Sequence, residues 1–351
     1  MQNNINNDEK YMRRCLQLAE NGLGNTYPNP LVGSVIVHNE KIIGEGYHLK
    51  AGEAHAEVNA VNSVKNKELL KYSTLYVNLE PCAHKGRTPA CSKMIIDLKI
   101  PKVVIGCRDS FEKVDGKGIE MMRNAGIEVV VGVLEKESRE LNKRFFTFHE
   151  KKRPYVILKW AQTLDGFIDF DRKPETPVSP NWITDEYARV NVHKMRSDEQ
   201  SILVGTNTAE KDNPGLNVRD WAGKNPLRIV IDRNLRLPEN LNLFDGKIQT
   251  LVFTEKEKAN EKNIEYVKTS FGENLPEKIL ETLYDKDIQS IIVEGGAKTL
   301  NSFIEKNLWD EAHIYIGDKF FRKGIKAPVL DFIPEREEKI SEAKLFVFRN
   351  K

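Results

Sequence analysis

Four residues in two short segments have the side-chain types and the spacing of a catalytic zinc site. They lie in His55-Ala56-Glu57 and in the run that begins with Pro81-Cys82 and ends at Cys91. His55, Cys82 and Cys91 would supply three ligands, which leaves the fourth position of tetrahedral zinc for water. Zinc lowers the pKa of such a water to about 7, and Glu57 could take its proton. We therefore predict a catalytic zinc site.

The spacing of the two cysteines departs from the usual motif of the zinc nucleobase deaminases, His-x-Glu followed by Pro-Cys-x-x-Cys. Eight residues separate Cys82 from Cys91, where the usual motif has two. We expect the longer insert to form a loop over the mouth of the site. Its His84, Lys85 and Arg87 suit an anionic substrate such as a phosphate ester. The alternative is a structural zinc knuckle, or two core cysteines beside a solvated basic loop.

The elements that must position these residues alternate between strand and helix. Strand patterns rich in β-branched residues cover residues 31–37, 75–77, 103–107 and 129–131, and a helical pattern covers residues 8–20. His55 begins another helical run, to residue 64, and Cys91 follows Pro89, a residue favoured in the first turn of a helix. The zinc would then lie between two helix N-termini, whose partial positive charge favours thiolates.

Further motifs of the first half resemble one known family. Segments 28–33 (Pro-Asn-Pro-Leu-Val-Gly) and 46–48 (Gly-Tyr-His), together with the zinc motifs, are similar to the deaminase half of the bifunctional riboflavin-biosynthesis deaminase–reductases. The resemblance implies an N-terminal cytidine-deaminase-like three-layer α/β/α domain over residues 1–150. It implies zinc ligation by His55, Cys82 and Cys91, proton transfer by Glu57, and contacts to the pyrimidine and its ribose phosphate from Asn29, His48, His84 and Arg87. On its own, Asn29 is equally a turn residue between two prolines.

The second half has six strand patterns but no Gly-x-Gly-x-x-Gly after a strand, so the usual dinucleotide fingerprint is absent. The strand patterns cover residues 155–160, 201–205, 227–231, 250–253, 291–294 and 313–316, and helical patterns cover residues 185–196 and 297–305. Segments 159–166, 182–184, 205–219 and 293–296 resemble the reductase half of the same family. This implies a C-terminal dihydrofolate-reductase-like α/β domain over residues 151–351. Taken alone, Gly295-Gly296 indicates either a phosphate-binding turn or an ordinary tight strand–helix turn.

The resemblance implies two sets of ligand contacts in the second half. The NADPH contacts are Ala161, Trp182, Thr208, Asp212 and Gly296, and the ribose-phosphate contacts are Lys159, Arg196, Leu216, Arg219 and Glu294. Two arginines suit a bidentate grip on a phosphate, although each alone could be a surface residue. Pro180 stands where some relatives have a serine that touches substrate, so we do not expect that contact here. Lys159, Asp212 and Glu294 remain equal candidates for a general acid.

Arg233 is a further candidate that the residues themselves indicate. It follows the strand pattern that ends at Asp232, where its planar set of donors could bind the 2′-phosphate of NADPH. The alternative is a solvated residue at a strand end, with another basic group selecting the cofactor.

Length and composition favour a two-domain enzyme over other classes of protein. The 351 residues exceed what one core usually serves, and we place the boundary in a charged, solvated linker at residues 149–154. A net charge of +2 argues against a nucleic-acid binder that relies on a basic field. The sequence shows no apolar run long enough for a membrane span, no apolar signal-peptide core and too few cysteines for a disulfide scaffold. We expect a cytoplasmic homo-oligomer without nucleic-acid or membrane partners.

The resemblance implies two consecutive reactions with zinc and NADPH as cofactors. The first is hydrolytic deamination of 2,5-diamino-6-ribosylamino-4(3H)-pyrimidinone 5′-phosphate, and the second reduces the ribosyl group to ribityl. Two alternatives remain open from the residues. One is a deaminase of free nucleosides or of tRNA with an accessory second half. The other is a binding module that keeps zinc for stability, against which Glu57 argues because a structural site needs no proton shuttle.

Overall fold

The computed structural model describes residues 2–83, 90–111 and 114–350, with side chains from residue 7 onward. The chain divides into two compact units, Met1–Lys152 and Arg153–Lys351. The division falls within the charged stretch at residues 149–154, where Glu150, Lys151 and Lys152 are exposed. Its first part continues a helix to Lys151, and Arg153 donates a 2.8 Å hydrogen bond to the buried carboxylate of Asp310.

The first unit is built on a five-stranded sheet in the order β2-β1-β3-β4-β5. Its elements are α1 (Gln2–Glu20), β1 (Gly33–His38), β2 (Lys41–Tyr47), α2 (Ala56–Ser63), a 3-10 turn (Lys67–Tyr72), β3 (Thr74–Leu79), α3 (Cys91–Asp97), β4 (Lys102–Cys107), α4 (Lys117–Asn124), β5 (Glu128–Val131), α5 (Glu135–Leu141) and α6 (Lys143–Lys151). Strand β1 is antiparallel to both of its neighbours, whereas β3, β4 and β5 are parallel.

Helices pack on both faces of the central strands of this sheet. Successive strand residues point to opposite sides, so neighbouring residues contact different helices. On one face, Ile36 and Val77 pack with Ala60 of α2. On the other face, their neighbours Val35 and Tyr76 pack with α1. The predicted three-layer α/β/α arrangement is therefore confirmed.

The second unit is built on a nine-stranded sheet in the order β11-β10-β9-β8-β12-β6-β13-β16-β15, beside a small sheet of β7 and β14. Its elements are β6 (Tyr155–Gln162), β7 (Phe167–Asp169), α7 (Glu186–Asp198), β8 (Ser201–Val204), α8 (Thr206–Asp212), β9 (Leu227–Ile231), a 3-10 turn (Asn242–Phe244), β10 (Thr250–Thr254), β11 (Ile264–Lys268), α9 (Leu275–Asp285), β12 (Ser290–Glu294), α10 (Ala297–Glu305), β13 (Glu311–Ile316), β14 (Ile325–Lys326), β15 (Arg336–Ile340) and β16 (Ala343–Arg349). The strands from β11 to β13 are parallel.

The central parallel strands of this sheet position the second site. Val293 of β12 packs with Leu283 of α9 and Phe303 of α10, whereas its neighbour Ile292 packs on the opposite face with Met195 of α7. Helices thus cover both faces of these strands. Because the strands are parallel, their carboxyl ends lie at the same edge of the sheet, and ligands of open α/β sheets bind beyond such ends. Among the residues that the structure describes, no helix combines the length and hydropathy needed to cross a bilayer.

Candidate active sites

His55, Cys82 and Cys91 come together in the first unit. Cys82 follows β3, His55 immediately precedes α2, and Cys91 is the first residue of α3. The Sγ atoms of Cys91 and Cys82 lie 3.4 and 3.7 Å from Nδ1 of His55. All three ligand atoms lie within 4.8 Å of one another, a separation that one metal ion can bridge. Residues 36 positions apart in the chain thus form one cluster of donor atoms.

The chemistry of this cluster fits zinc. The hydrogen bond from Cys91 lowers the pKa of the Cys82 thiol to about 4, while the same contact raises the pKa of Cys91. A divalent ion would stabilise both thiolates, and two thiolates with one imidazole are ligands that zinc prefers.

Glu57 lies in the first turn of α2, beside the cluster, and is only 3% exposed. Burial raises the pKa of its carboxyl to about 7, and the neighbouring Cys82 acts in the same direction. A carboxyl whose pKa lies near neutrality can both accept and release a proton at physiological pH, as a general acid–base requires.

Two of the four predicted substrate contacts of the first unit lie next to the cluster. The Nδ1 of the buried His48 is 3.1 Å from the carbonyl of Ala54, and its Nε2 is 3.0 Å from the amide of Asn29. Nδ1–H donates to the carbonyl, so Nε2 accepts from Asn29. The His48 ring lies 5.5 Å from the ring of His55. His84 and Arg87, with the loop predicted over the site, fall outside the described residues.

The second unit contains a cavity of about 1510 Å³ at the carboxyl ends of β6, β8 and β12. Every residue predicted to contact ligands in this half lines it. These are Lys159, Ala161, Trp182, Arg196, Thr208, Asp212, Leu216, Arg219, Arg233, Glu294 and Gly296. They come from segments spread over more than 130 positions of the chain, and the parallel strands bring them to one edge of the sheet.

A buried charge cluster forms the floor of this cavity. Lys159 and Glu294 face each other on paired strands, with Nζ 3.7 Å from Oε1, and Arg196 donates a 2.8 Å hydrogen bond to Oε2 of Glu294. Burial raises the pKa of Glu294, but Arg196 and Lys159 outweigh it and hold the value at about 2. Burial also lowers the pKa of Lys159.

Two buried polar atoms of this cluster have no hydrogen-bond partner among the described residues, Nε of Arg196 and Oε1 of Glu294. Oε1 of Glu294 keeps its ion pair with Lys159, whereas Nε of Arg196 has no partner among the described residues. Buried polar groups are nearly always satisfied in native proteins, so this Nε points to a missing polar ligand.

Two helix N-termini open onto the same cavity. Helix α8 begins after Gly205, and α10 begins after Gly296, whose N–H donates a 2.9 Å hydrogen bond to Oγ1 of Thr208. Gly295 has φ +138°, a conformation that requires glycine, and a Cβ there would come within 3.3 Å of Thr208. This turn presents backbone N–H groups at a helix start, which suits a phosphate.

Arg233 lies at the edge of the cavity and is already paired. Its Nε donates a 2.9 Å hydrogen bond to Glu255, and its guanidinium lies 5.9 Å from the ring of Phe271. Arg236 also lines the cavity and donates to Glu210 and Asn207 at 2.7 and 2.8 Å. Arg236 is therefore a second candidate for the role that the sequence indicates for Arg233.

Two further residues that line the cavity, His193 and Arg172, were also not predicted from the sequence. His193 lies one helical turn before Arg196; its Nδ1 accepts a 3.3 Å hydrogen bond from the N–H of Arg219, and its Nε2 lies 3.3 Å from Asp220. Burial and the two arginines lower its pKa to about 4. Its spacing from Arg196 was an available signal. Arg172 is buried in an irregular segment, and no local pattern marks it.

Two family models match the chain and define its class as a zinc-binding deaminase joined to a reductase. Residues 5–107 match the cytidine and deoxycytidylate deaminase zinc-binding region, and residues 154–325 match the RibD C-terminal domain.

Curated relatives and solved structures extend the match to almost the whole chain. The riboflavin biosynthesis protein RibD of Aquifex aeolicus is 42% identical over 325 residues, covering 91% of this chain and 89% of that protein. The RibD of Escherichia coli is 34% identical and covers 97% and 95%. A crystal structure of a diaminohydroxyphosphoribosylaminopyrimidine deaminase/5-amino-6-(5-phosphoribosylamino)uracil reductase from Thermotoga maritima superposes with a TM-score of 0.89 at 38% identity, covering 99% of this chain and 100% of that one.

The chain belongs to the RibD family of riboflavin biosynthesis proteins. The predicted family, the bifunctional deaminase–reductase activity, and zinc and NADPH as its cofactors are thereby confirmed. The fold class is confirmed as well, with a cytidine-deaminase-like first domain and a reductase domain consistent with a dihydrofolate-reductase-like fold.

Proposed function

We propose that residues 1–150 deaminate 2,5-diamino-6-ribosylamino-4(3H)-pyrimidinone 5′-phosphate and that residues 151–351 then reduce its ribosyl group to ribityl. The convergence of His55, Cys82 and Cys91 beside the buried Glu57 carries this proposal. The substrate named for the Thermotoga maritima relative supports the choice of pyrimidine. A free nucleoside or a tRNA as the substrate would leave the charged cavity of the second unit without a role.

In the first unit we assign zinc ligation to His55, Cys82 and Cys91. Zinc, when bound, supplies Lewis-acid activation of a water molecule. Glu57 would accept a proton from the attacking water and donate it to the amino group, so that a C–O bond forms at the amino-bearing carbon, the C–N bond breaks and ammonia leaves. Asn29 and His48 hold the pyrimidine, and His84 and Arg87 bind its ribose phosphate. The neutral His48 accepts rather than donates at Nε2 while Asn29 is its partner, because Nδ1–H is committed to Ala54.

In the second unit we assign the phosphate of the substrate to Arg196 and Arg219, and the opened ribose to Lys159, Glu294 and Leu216. The Nε of Arg196, which has no hydrogen-bond partner among the described residues, supports these contacts. NADPH, when bound, supplies the reducing equivalents for C1 of the ribose. Ala161, Trp182, Thr208, Asp212 and Gly296 hold the cofactor.

Lys159 is our choice for the proton donor of the reduction. Glu294 has a pKa of about 2, so its carboxyl is ionised near neutral pH and has no proton to give. The pKa of Lys159 is lowered by burial, which makes its ammonium a better acid than an exposed lysine.

Turnover of the diaminopyrimidine phosphate tests the whole assignment. Without NADPH we expect ammonia and the deaminated ribosyl product to accumulate, and with NADPH we expect the ribityl product. Cytidine, guanine and tRNA should release no ammonia under the same conditions. Ammonia release from any of these three without turnover of the diaminopyrimidine phosphate would contradict the proposal.

Arg233 should contribute to the preference for NADPH over NADH. Its exposed guanidinium is held by one carboxylate, Glu255, and can turn to a 2′-phosphate at the cavity edge. We expect Arg233→Ala to lower the ratio of kcat/KM for NADPH to that for NADH by about tenfold, the effect of one charge-assisted hydrogen bond. Arg236→Ala is the matched comparison. An unchanged ratio in Arg233→Ala with a reduced ratio in Arg236→Ala would assign the 2′-phosphate to Arg236 instead.

We also propose a cytoplasmic homo-oligomer that binds no nucleic acid and no membrane. The four cysteines of the chain form no disulfide, as a reducing compartment requires. Large apolar side chains of the second unit are exposed, among them Phe320 at 65%, Val329 at 84% and Ile333 at 92%, and such side chains favour association. Sedimentation should give a mass of at least two chains, and a monomer at micromolar concentration would exclude the oligomer.

A further inference from the structure

Arg172 is a buried arginine in the irregular segment of residues 170–181, which borders the cavity of the second unit. Its side chain is only 7% exposed. Nε donates a 2.7 Å hydrogen bond to Asp169, and Nη1 donates to the carbonyls of Ser179 and Lys211 at 2.9 and 3.0 Å. Nη2 donates a 2.6 Å hydrogen bond to Oδ1 of Asp212. One guanidinium thus joins both ends of the segment to the last turn of α8.

The hydrogen bond from Arg172 orients the carboxylate of Asp212 relative to the cavity. Asp212 lines the cavity at the end of α8, four residues after Thr208 and therefore on the same face of the helix. Oδ1 is occupied by Arg172. Among the residues that the structure describes, none donates a hydrogen bond to Oδ2. Arg172 therefore fixes the orientation of Asp212 and leaves one of its oxygens for a ligand.

The charge of Arg172 also favours the form of Asp212 that can accept hydrogen bonds. Burial raises the pKa of the Asp212 carboxyl above its ordinary value, and Arg172 is the largest influence that opposes this. Without the guanidinium, this half-buried carboxyl next to Asp169 would take up a proton more readily. A protonated Asp212 would offer a donor in place of an acceptor.

Arg172 also holds the segment of residues 170–181 in place, through Asp169. Asp169 accepts from Arg172 through one oxygen and from the side chain of Asn181 through the other, at 3.3 Å. Asn181 directly precedes Trp182, and both line the cavity. The same guanidinium is therefore linked to two residues assigned to NADPH, Asp212 directly and Trp182 through Asp169 and Asn181.

We propose that Arg172 is a positioning residue of the NADPH site, which holds Asp212 as an oriented hydrogen-bond acceptor and fixes the segment that carries Trp182. This inference rests on the proposed function, because it assumes that Asp212 contacts the cofactor. It predicts a specific loss of cofactor affinity when Arg172 is replaced, with no effect on the reaction of the first unit.

The test measures the Kd of NADPH by fluorescence titration of the full chain. We expect Arg172→Gln to raise the Kd by about tenfold or more, as the loss of a charge-assisted hydrogen bond does. Arg172→Lys keeps the charge but not the planar donors, and its Kd should fall between those of the wild type and Arg172→Gln. Lys173→Gln removes an exposed charge of the same segment and should leave the Kd unchanged. Deaminase turnover should stay at the wild-type rate in all of these variants, and an unchanged circular dichroism spectrum and thermal unfolding curve of the full chain would show that the second unit folds.

A double-variant cycle distinguishes positioning from general stabilisation. If Arg172 acts mainly through Asp212, adding Arg172→Gln to Asp212→Asn should change the Kd by less than about twofold, because interacting residues are not additive. Effects that multiply in the double variant would overturn the role of Asp212 in the proposal, and an unchanged Kd in Arg172→Gln would overturn the proposal as a whole. If Asp212→Asn itself leaves the Kd unchanged, the assignment of Asp212 to the cofactor fails first. Should Arg172→Gln not fold, the comparison of Arg172→Lys with Lys173→Gln decides the question.

Discussion

Glu57→Gln should reduce deaminase turnover by at least about 10²–10⁴-fold, the typical loss when a general acid–base group is removed. Glutamine keeps the shape of the side chain but cannot accept the proton of the attacking water. Zinc content and NADPH-dependent reduction of the deaminated substrate should remain close to the wild type. Ammonia release and NADPH oxidation, measured separately on the two substrates, check both parts of this expectation.

Glu68→Gln is the matched control for Glu57→Gln. It makes the same change on a side chain that is 80% exposed, and it should leave both activities unchanged. Deamination at more than about a tenth of the wild-type rate in Glu57→Gln would show that another group relays the proton.

Cys82→Ser should remove zinc and deaminase activity together. We expect the wild type to carry about one zinc per chain with three protein ligands and one water. A serine hydroxyl is a poor zinc ligand near neutral pH, and Cys82 is the thiol whose pKa is lowered to about 4 in the metal-free cluster. Metal analysis of the purified variant should find little zinc, and ammonia release should fall to background while the reductase keeps its rate.

X-ray absorption spectroscopy of the wild-type enzyme tests whether the fourth coordination position of the zinc is free for water. Two sulfur ligands, one imidazole and one lighter ligand are expected. A second imidazole would mean that His84 or another histidine is a fourth protein ligand. That result would contradict the prediction of a catalytic zinc site with three protein ligands. Retention of stoichiometric zinc by Cys82→Ser would point the same way.

The local order of the chain was enough to predict the chemistry of the first unit. His55 and Glu57 are two residues apart, and Cys82 and Cys91 flank one insert, so residue type and spacing indicated a role for each. The strands that lie in the interior of the sheets, such as β4 and β12, were also predictable, because burial on both faces selects continuous runs of β-branched residues.

The strands that the sequence analysis missed lie mostly at sheet edges. Strand β2 contains two glycines and is partly exposed, and β15 reads Arg-Glu-Glu-Lys-Ile, so neither has a continuous apolar pattern. Strand β16 is different. Its alternating buried residues Ala343, Leu345 and Val347 were a signal that the prediction did not use.

By itself, the sequence determined which residues could hold zinc, which carboxyl could move a proton and, through the family resemblance, which positions to examine in the second half. Only the tertiary structure decided that the eleven reductase residues line one cavity, that Glu294 is held ionised by Arg196 and Lys159, and that Arg172 is linked to Asp212. The reason is physical. A motif encodes contacts between near neighbours in the chain, whereas Arg172 and Asp212 are 40 residues apart and meet only because folding brings the segment after β7 to the end of α8. Burial, which gives such an ion pair its strength, is likewise a property of the folded chain alone.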